Sequence, residues 1–219
     1  MTSLLDMEAE AELNLPKDYW NWVSGGDGEG VTVRRNREAF QGISVRPRAL
    51  VDTANKDMST SMLGERIDFP VFASPAGGQW LAHPDGEVAV AGAACSKGML
   101  MVVPTGAHKT LEEIAKATTA PLWFQLYHLT DEITEYILPR VESAGYSAVC
   151  LTVRGPGTIG GTINRHGKYS PRGDLAWGDL GEVPHLRKLI DNLDRSVHRG
   201  LTWDRMEWLR SAARHWEHC

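Results

Sequence analysis

The chain has 219 residues, of which 42% are apolar and 23% charged, and its formal net charge is −5. That is enough chain and enough apolar material for one large domain or two small ones with a packed core. The negative balance argues against a nucleic-acid partner, because basic pairs such as Arg34-Arg35 sit among acidic neighbours. No apolar run approaches the ~20 residues of a membrane span. The acidic first twelve residues lack the basic-then-apolar pattern of a signal peptide. Three scattered cysteines (Cys95, Cys150 and Cys219) do not make a disulfide framework, so a reducing, cytoplasmic compartment is expected.

Residues 8–24 are expected to form a helix ending at Gly25-Gly26, a pair that can supply a left-handed cap. A second helix is expected over 31–42, with Val33, Arg37 and Phe40 at helical spacing. Residues 57–69 alternate around Leu63-Gly64-Glu65 and predict a hairpin. From Pro70 the chain changes character and repeats apolar strand, polar turn, helix. Strand cores fall at 71–74, 99–103, 122–126 and 148–153, recurring every ~25 residues, the period of a βα unit.

Between the strands, the Ala-rich stretch 85–97 ends at Gly98 and predicts a helix with a glycine cap. Thr110 and Glu113 are spaced as a capping box for a helix through Ala117. Thr130 opens another helix, with Asp131 and Glu132 near its positive end. Pro139 lies inside that pattern, and an interior proline costs ~3 kcal/mol, so a kink or break is expected there. Residues 154–182 are Gly-rich and aperiodic, which predicts a long loop. Thr202 caps a last helix to about Ala213, and the tail 214–219 lacks strand character.

The expected class is α/β, of the (β/α)8 barrel type, in which eight units and typically ~250 residues close the sheet. Four units are legible. Residues 1–69 form a helical and hairpin block expected to cap the barrel, and 70–219 form a partial barrel holding strands one to four. A doubly wound domain also fits four units by number, but the turn after the first strand lacks G-x-G-x-x-G.

Several motifs carry a resemblance. Tyr19-Trp20-Asn21-Trp22-Val23-Ser24-Gly25-Gly26 is followed by Asn36-Arg37-Glu38-Ala39-Phe40, then by Arg46-Pro47-Arg48, Leu50-Val51-Asp52 and Leu63-Gly64. Pro75-Ala76-Gly77, His83-Pro84-Asp85-Gly86-Glu87, Phe124-Gln125-Leu126-Tyr127 and Leu151-Thr152-Val153 come next, and Leu201-Thr202-Trp203 with Trp208-Leu209 close the series. In this order and spacing the chain resembles the FMN-dependent 2-hydroxy acid oxidases and dehydrogenases, which include glycolate oxidase, lactate oxidase and mandelate dehydrogenase. The resemblance covers residues 15–155 well and 200–210 weakly.

What the resemblance implies is an FMN on the C-terminal face of a barrel and a small 2-hydroxy acid as substrate. Pro75, Ala76 and Gly77 would lie along the flavin. Gln125 and Thr152 would hydrogen-bond its pyrimidine edge, an amide offering donor and acceptor and a hydroxyl either. Tyr127 would face the substrate, its phenol near the hydroxyl or carboxylate. A homo-oligomer is expected, with no nucleic acid and no membrane as partners.

The pattern also departs from the family. A substrate-contacting tyrosine of the first helix falls on Trp22, and a flavin-bonding hydroxyl of strand two falls on Pro104. The aspartate that orients the catalytic histidine falls on Arg154, a cation that cannot stabilise an imidazolium. A family arginine after strand four falls on Gly161, with Arg165 or Arg172 as spatial substitutes. The resemblance puts the strand-five lysine, the histidine base, the carboxylate-binding arginine and the phosphate site beyond Cys219. His83 is expected to be structural, and His108, after strand two, is a weaker candidate acid or base. His215, His218 and Cys219 are expected to be a tail rather than a metal site, and 155–161 a loop rather than a phosphate cradle. Two functions remain open from the sequence: an FMN-dependent oxidoreductase, and a non-catalytic half-barrel whose open sheet edges favour self-association.

Overall fold

The structure is a computed structural model and describes residues 3–26, 29–153, 178–181, 183–186, 188 and 201–212. Two compact units divide between Lys56 and Asp57. In the first, α1 (Leu4–Asn14) starts with a capping box. The Asp6 N–H donates to Ser3 Oγ at 3.2 Å, and the Ser3 N–H donates to Asp6 Oδ2 at 2.9 Å. The single helix expected over 8–24 is instead two. Leu15 is extended, as a residue before proline prefers to be, and Pro16 opens α2 (Lys17–Ser24). Nor does Gly25 supply a left-handed cap: its φ is −73°. α3 (Val31–Gln41) begins after Gly30, whose φ of +68° suits a residue without a Cβ. Arg37 of α3 pairs with Glu8 of α1.

The second unit opens with the expected hairpin. β1 (Thr60–Met62) and β2 (Glu65–Ile67) pair antiparallel with Met62 opposite Glu65. Leu63 and Gly64 both have positive φ, the two-residue turn that matches strand twist. The apolar run 71–74 is not a full strand: only Ala73 pairs. Its N–H donates to Leu100 O, and its carbonyl accepts from Val102 N–H, both at 2.9 Å. Pro70 and Pro75 flank the run and have no N–H to give, which limits the ladder.

The repeat then follows in order: α4 (Gly86–Ser96), β3 (Met101–Pro104), α5 (Leu111–Lys116), β4 (Leu122–Leu126), α6 (Asp131–Ser143) and β5 (Ala148–Leu151). The sheet is parallel in the order β3-β4-β5, with Ala73 bridged to the outer side of β3. Neighbours in sequence are neighbours in space. A doubly wound sheet would reverse direction at a switch point, so that alternative is set aside. α7 (Gly178–Gly181) is a helical turn inside the stretch expected to be loop, and α8 (Trp203–Ala212) matches the last expected helix. The rest of that stretch, and the tail with His215, His218 and Cys219, lie outside the described residues.

Both faces of β3 and β4 are buried, as is usual for parallel sheets, while β5 is half-buried beyond Ala148. Met101, Val103, Leu122, Phe124 and Leu126 pack against the helices, while Leu100, Val102, Trp123 and Ala148 pack with Ile67 of the hairpin. α6 runs unbroken through Pro139. Its buried Ile133, Ile137, Leu138 and Val141 contribute about 1.5–3 kcal/mol each, enough to offset the ~3 kcal/mol cost of the proline. The capping box at Thr110 and Glu113 forms as expected. Asp179 of α7 extends that cap, accepting the Leu111 N–H at 3.0 Å. Arg140 of α6 holds Asp179 in place. It donates to Asp179 Oδ1 at 2.9 Å and forks onto both oxygens of Glu112 at 2.9 and 2.7 Å.

Candidate functional site

The C-terminal ends of parallel strands present backbone and side chains that no further strand residue pairs, so they are where a ligand is met. Here four chain exits lie in strand order: after Ala73, after Pro104, at Gln125 to Tyr127, and at Thr152. The first carries Pro75, Ala76 and Gly77. Gln79 Nε2 donates to the Ala76 carbonyl at 3.1 Å and folds this loop back on itself. A Cβ built on Gly77 would meet only Gly106 O, at 3.7 Å, and one built on Gly106 would meet nothing within 4 Å. The loops after the first two strands therefore come close together and leave room beside their backbones.

The third and fourth exits are joined. Gln125 Nε2 donates to Thr152 Oγ1 at 2.7 Å. Gln125 is 5% exposed, so each polar atom of its amide needs a partner. Its Oε1 accepts the Thr105 N–H at 3.2 Å. Thr152 is held by its own N–H, which donates to Leu126 O at 2.9 Å and continues the β4-β5 ladder. Pro104 occupies the last position of β3, opposite Gln125. The strand-two position at which the resemblance implies a flavin-bonding hydroxyl is thus a buried proline.

Thr105, which the sequence did not single out, lies at the centre of these bonds. Its hydroxyl donates to the Gln125 carbonyl and accepts the Tyr127 N–H at 2.9 Å. No local pattern marks it, because its partners lie 20 and 22 residues away, on β4 and just past its end. Trp22 belongs to the first unit; Arg154, Gly161, Arg165 and Arg172 lie outside the described residues.

The two histidines differ. His83 is largely exposed, and its Nδ1 accepts the Asp85 N–H at 3.2 Å, a local turn bond that fits a structural role. His108 stacks on Trp80 with ring centroids 5.0 Å apart. Its backbone N–H donates to Glu87 Oε2 at 3.3 Å, and Glu87 is fully buried. His108 Nδ1, Glu87 Oε1 and Trp80 Nε1 are buried with no hydrogen-bond partner among the described residues. No group of three or more metal-ligating side chains gathers among the described residues. None of the described helices is long and apolar enough to cross a membrane.

The chain is 34% identical to an L-lactate oxidase of Nostoc sp. over 95% of its own length and 61% of the relative's. It is 33% identical to glycolate oxidase 1 of Zea mays over 96% of its length and 59% of the relative's. Among solved structures it is similar to a mandelate oxidase variant with (S)-mandelic acid, at a TM-score of 0.81 and 28% identity over 97% of this chain and 59% of that one. It is also similar to a soluble variant of the membrane-associated (S)-mandelate dehydrogenase of Pseudomonas putida, at a TM-score of 0.82 and 25% identity over 97% of this chain and 62% of that one. The chain thus spans about 60% of the length of the relatives it matches. The fold is the mixed α/β fold of that (β/α)8 barrel group. The family model for FMN-dependent dehydrogenases matches residues 11–216, and the chain belongs to that family.

Proposed function

We propose that this chain forms the flavin-edge portion of an FMN-dependent oxidoreductase that converts a small 2-hydroxy acid to the 2-oxo acid. The observation that carries this reading is the Gln125–Thr152 bond of 2.7 Å across the C-terminal ends of adjacent parallel strands. It makes a rigid amide–hydroxyl pair beside loops with open space at Gly77 and Gly106. A flat heterocycle needs that combination: polar atoms at its edge and backbone without side chains against its face. FMN supplies hydride acceptance when bound. Pro75, Ala76 and Gly77 would lie along the ring, Gln125 and Thr152 would bond its pyrimidine edge, and Tyr127 would orient the substrate's hydroxyl or carboxylate. Cytoplasmic location and a homo-oligomeric state are parts of the same proposal.

Titrating FMN into the purified 219-residue chain, followed by absorbance and fluorescence, is expected to give saturable binding with a perturbed flavin spectrum. Folded protein that leaves free-flavin fluorescence unchanged would sink the reading.

A second reading is favoured by the edges of the sheet. Among the described residues, neither the outer side of Ala73 nor that of β5 has a strand partner. Val71, Phe72 and Val153 beside those edges are 48%, 39% and 71% exposed. Unpaired parallel edges flanked by apolar side chains are templates for pairing with another chain. On this reading the 219-residue chain associates with a second copy of itself along these edges. Sedimentation should then show dimers or larger species at micromolar concentration, and a monodisperse monomer would count against it.

A further inference from the structure

We propose that Thr105 is a positioning residue: its main-chain N–H sets which hydrogens the Gln125–Thr152 pair offers to a ligand, and its hydroxyl fixes the end of β4 that carries Gln125 and Tyr127. β3 stops at Pro104, opposite Gln125, while β4 runs on to Leu126 and its backbone must still be satisfied. Thr105 meets this need with one backbone group and one side chain. Its N–H donates to the Gln125 carbonyl at 3.0 Å and also faces Gln125 Oε1 at 3.2 Å. Its hydroxyl donates to the same carbonyl and accepts the Tyr127 N–H at 2.9 Å. The hydroxyl therefore takes the place of the next ladder step, and β3 can leave the sheet without loosening β4.

The consequence for the amide follows from donor and acceptor counting. A main-chain N–H cannot accept, so the Gln125 atom facing Thr105 is Oε1 and the atom facing Thr152 is Nε2. Thr152 Oγ1 then accepts from Gln125, which leaves its own hydrogen to donate. Gln125 keeps the second hydrogen of Nε2. The pair offers two hydrogens, so it suits a ligand edge carrying acceptor oxygen or nitrogen. Thr105 is 2% exposed; it acts through Gln125 and Tyr127 and needs no contact with the ligand. This inference rests on the FMN reading for the identity of the ligand, though not for the positioning itself.

The test compares the unaltered chain with Thr105→Val, which keeps shape but removes the hydroxyl, and Thr105→Ser, which restores it. Without flavin, amide hydrogen exchange at Tyr127 is expected to speed up about tenfold in Thr105→Val and to return to the original rate in Thr105→Ser. With FMN, Thr105→Val keeps the N–H that orients the amide but frees the Gln125 carbonyl and the Tyr127 N–H from the hydroxyl, so it is expected to bind about tenfold more weakly with a shifted flavin spectrum, and Thr105→Ser to behave as the unaltered chain. Unchanged Tyr127 protection in Thr105→Val overturns the proposal, as does equal FMN affinity and spectrum in both variants. If none of the three chains binds FMN, the flavin reading fails, and the exchange rates alone decide the positioning claim.

Discussion

Arg140→Met is expected to lower the stability of the second unit by about 2–4 kcal/mol at neutral pH, because it strands the buried Asp179 carboxylate although Arg140 and Glu112 are themselves partly solvated. Arg140 is the shared cation of two carboxylates on two other elements, Glu112 of α5 and Asp179 of α7. It also donates to the Asp179 carbonyl at 3.1 Å and lies over the Tyr136 ring at 5.1 Å. Methionine preserves much of the volume and none of the charge. Burial pushes the Asp179 carboxyl up to about 6, against the opposing pull of the Leu111 N–H and Arg140. Glu112 is also partly buried, yet the Arg140 bonds hold its carboxyl below the ordinary value.

The sign of the pH dependence follows. A carboxyl whose folded value lies above its unfolded value favours the folded state at low pH and loses that contribution as pH rises, here between about 4 and 6. Without Arg140 the buried Asp179 charge is harder still to form, so the loss steepens. The cost of Arg140→Met should therefore be clearly smaller at pH 4.5 than at pH 7.5. Urea unfolding at the two pH values measures it. A cost below about 1 kcal/mol, or one equal at both pH values, would show that the three side chains do not act as a clamp.

Gln125→Leu is expected to weaken FMN binding by about 10- to 100-fold while changing stability by less than about 1 kcal/mol. Leucine nearly matches the glutamine in volume and brings no polar atom into a site that is 5% exposed. The Thr105 N–H keeps the Gln125 carbonyl as acceptor, and Thr152 is part-exposed and can turn to water. The change therefore removes an edge donor without leaving a buried backbone orphan. Parallel flavin titrations and thermal melts separate the two effects. A variant as stable as the unaltered chain and with the same FMN affinity would mean that Gln125 belongs to the sheet and not to a ligand site.

Much of the second unit was legible because its signals are local. The capping box at Thr110 and Glu113, the turn at Leu63-Gly64 and the apolar cores of β3, β4 and β5 each depend on residues a few positions apart. The misses share a different cause. Pro139 should have broken α6 by its own chemistry, but four buried side chains on the other face outweigh it. The run 71–74 has strand composition, yet the flanking prolines leave only Ala73 with a ladder partner. Pro16 lies inside the single helix expected over 8–24, and its own chemistry divides that stretch into α1 and α2. Thr105 and Asp179 could not be found locally. Their bonds reach across 20 to 22 and 68 residues respectively, and each looks like an ordinary polar residue beside a loop.

The consecutive order of the sheet has a consequence for synthesis. Each strand lies against the one made just before it, with its helix folded back between them. Every step of assembly closes a span of only ~25 residues, so its entropic cost stays nearly constant along the chain. A new unit leaving the ribosome finds its docking edge already built, and no earlier unit waits for a later one to be inserted beside it. The same order keeps a growing margin exposed until the next unit arrives. The nascent chain is therefore most prone to adhere to its neighbours during a translational pause placed between two strands.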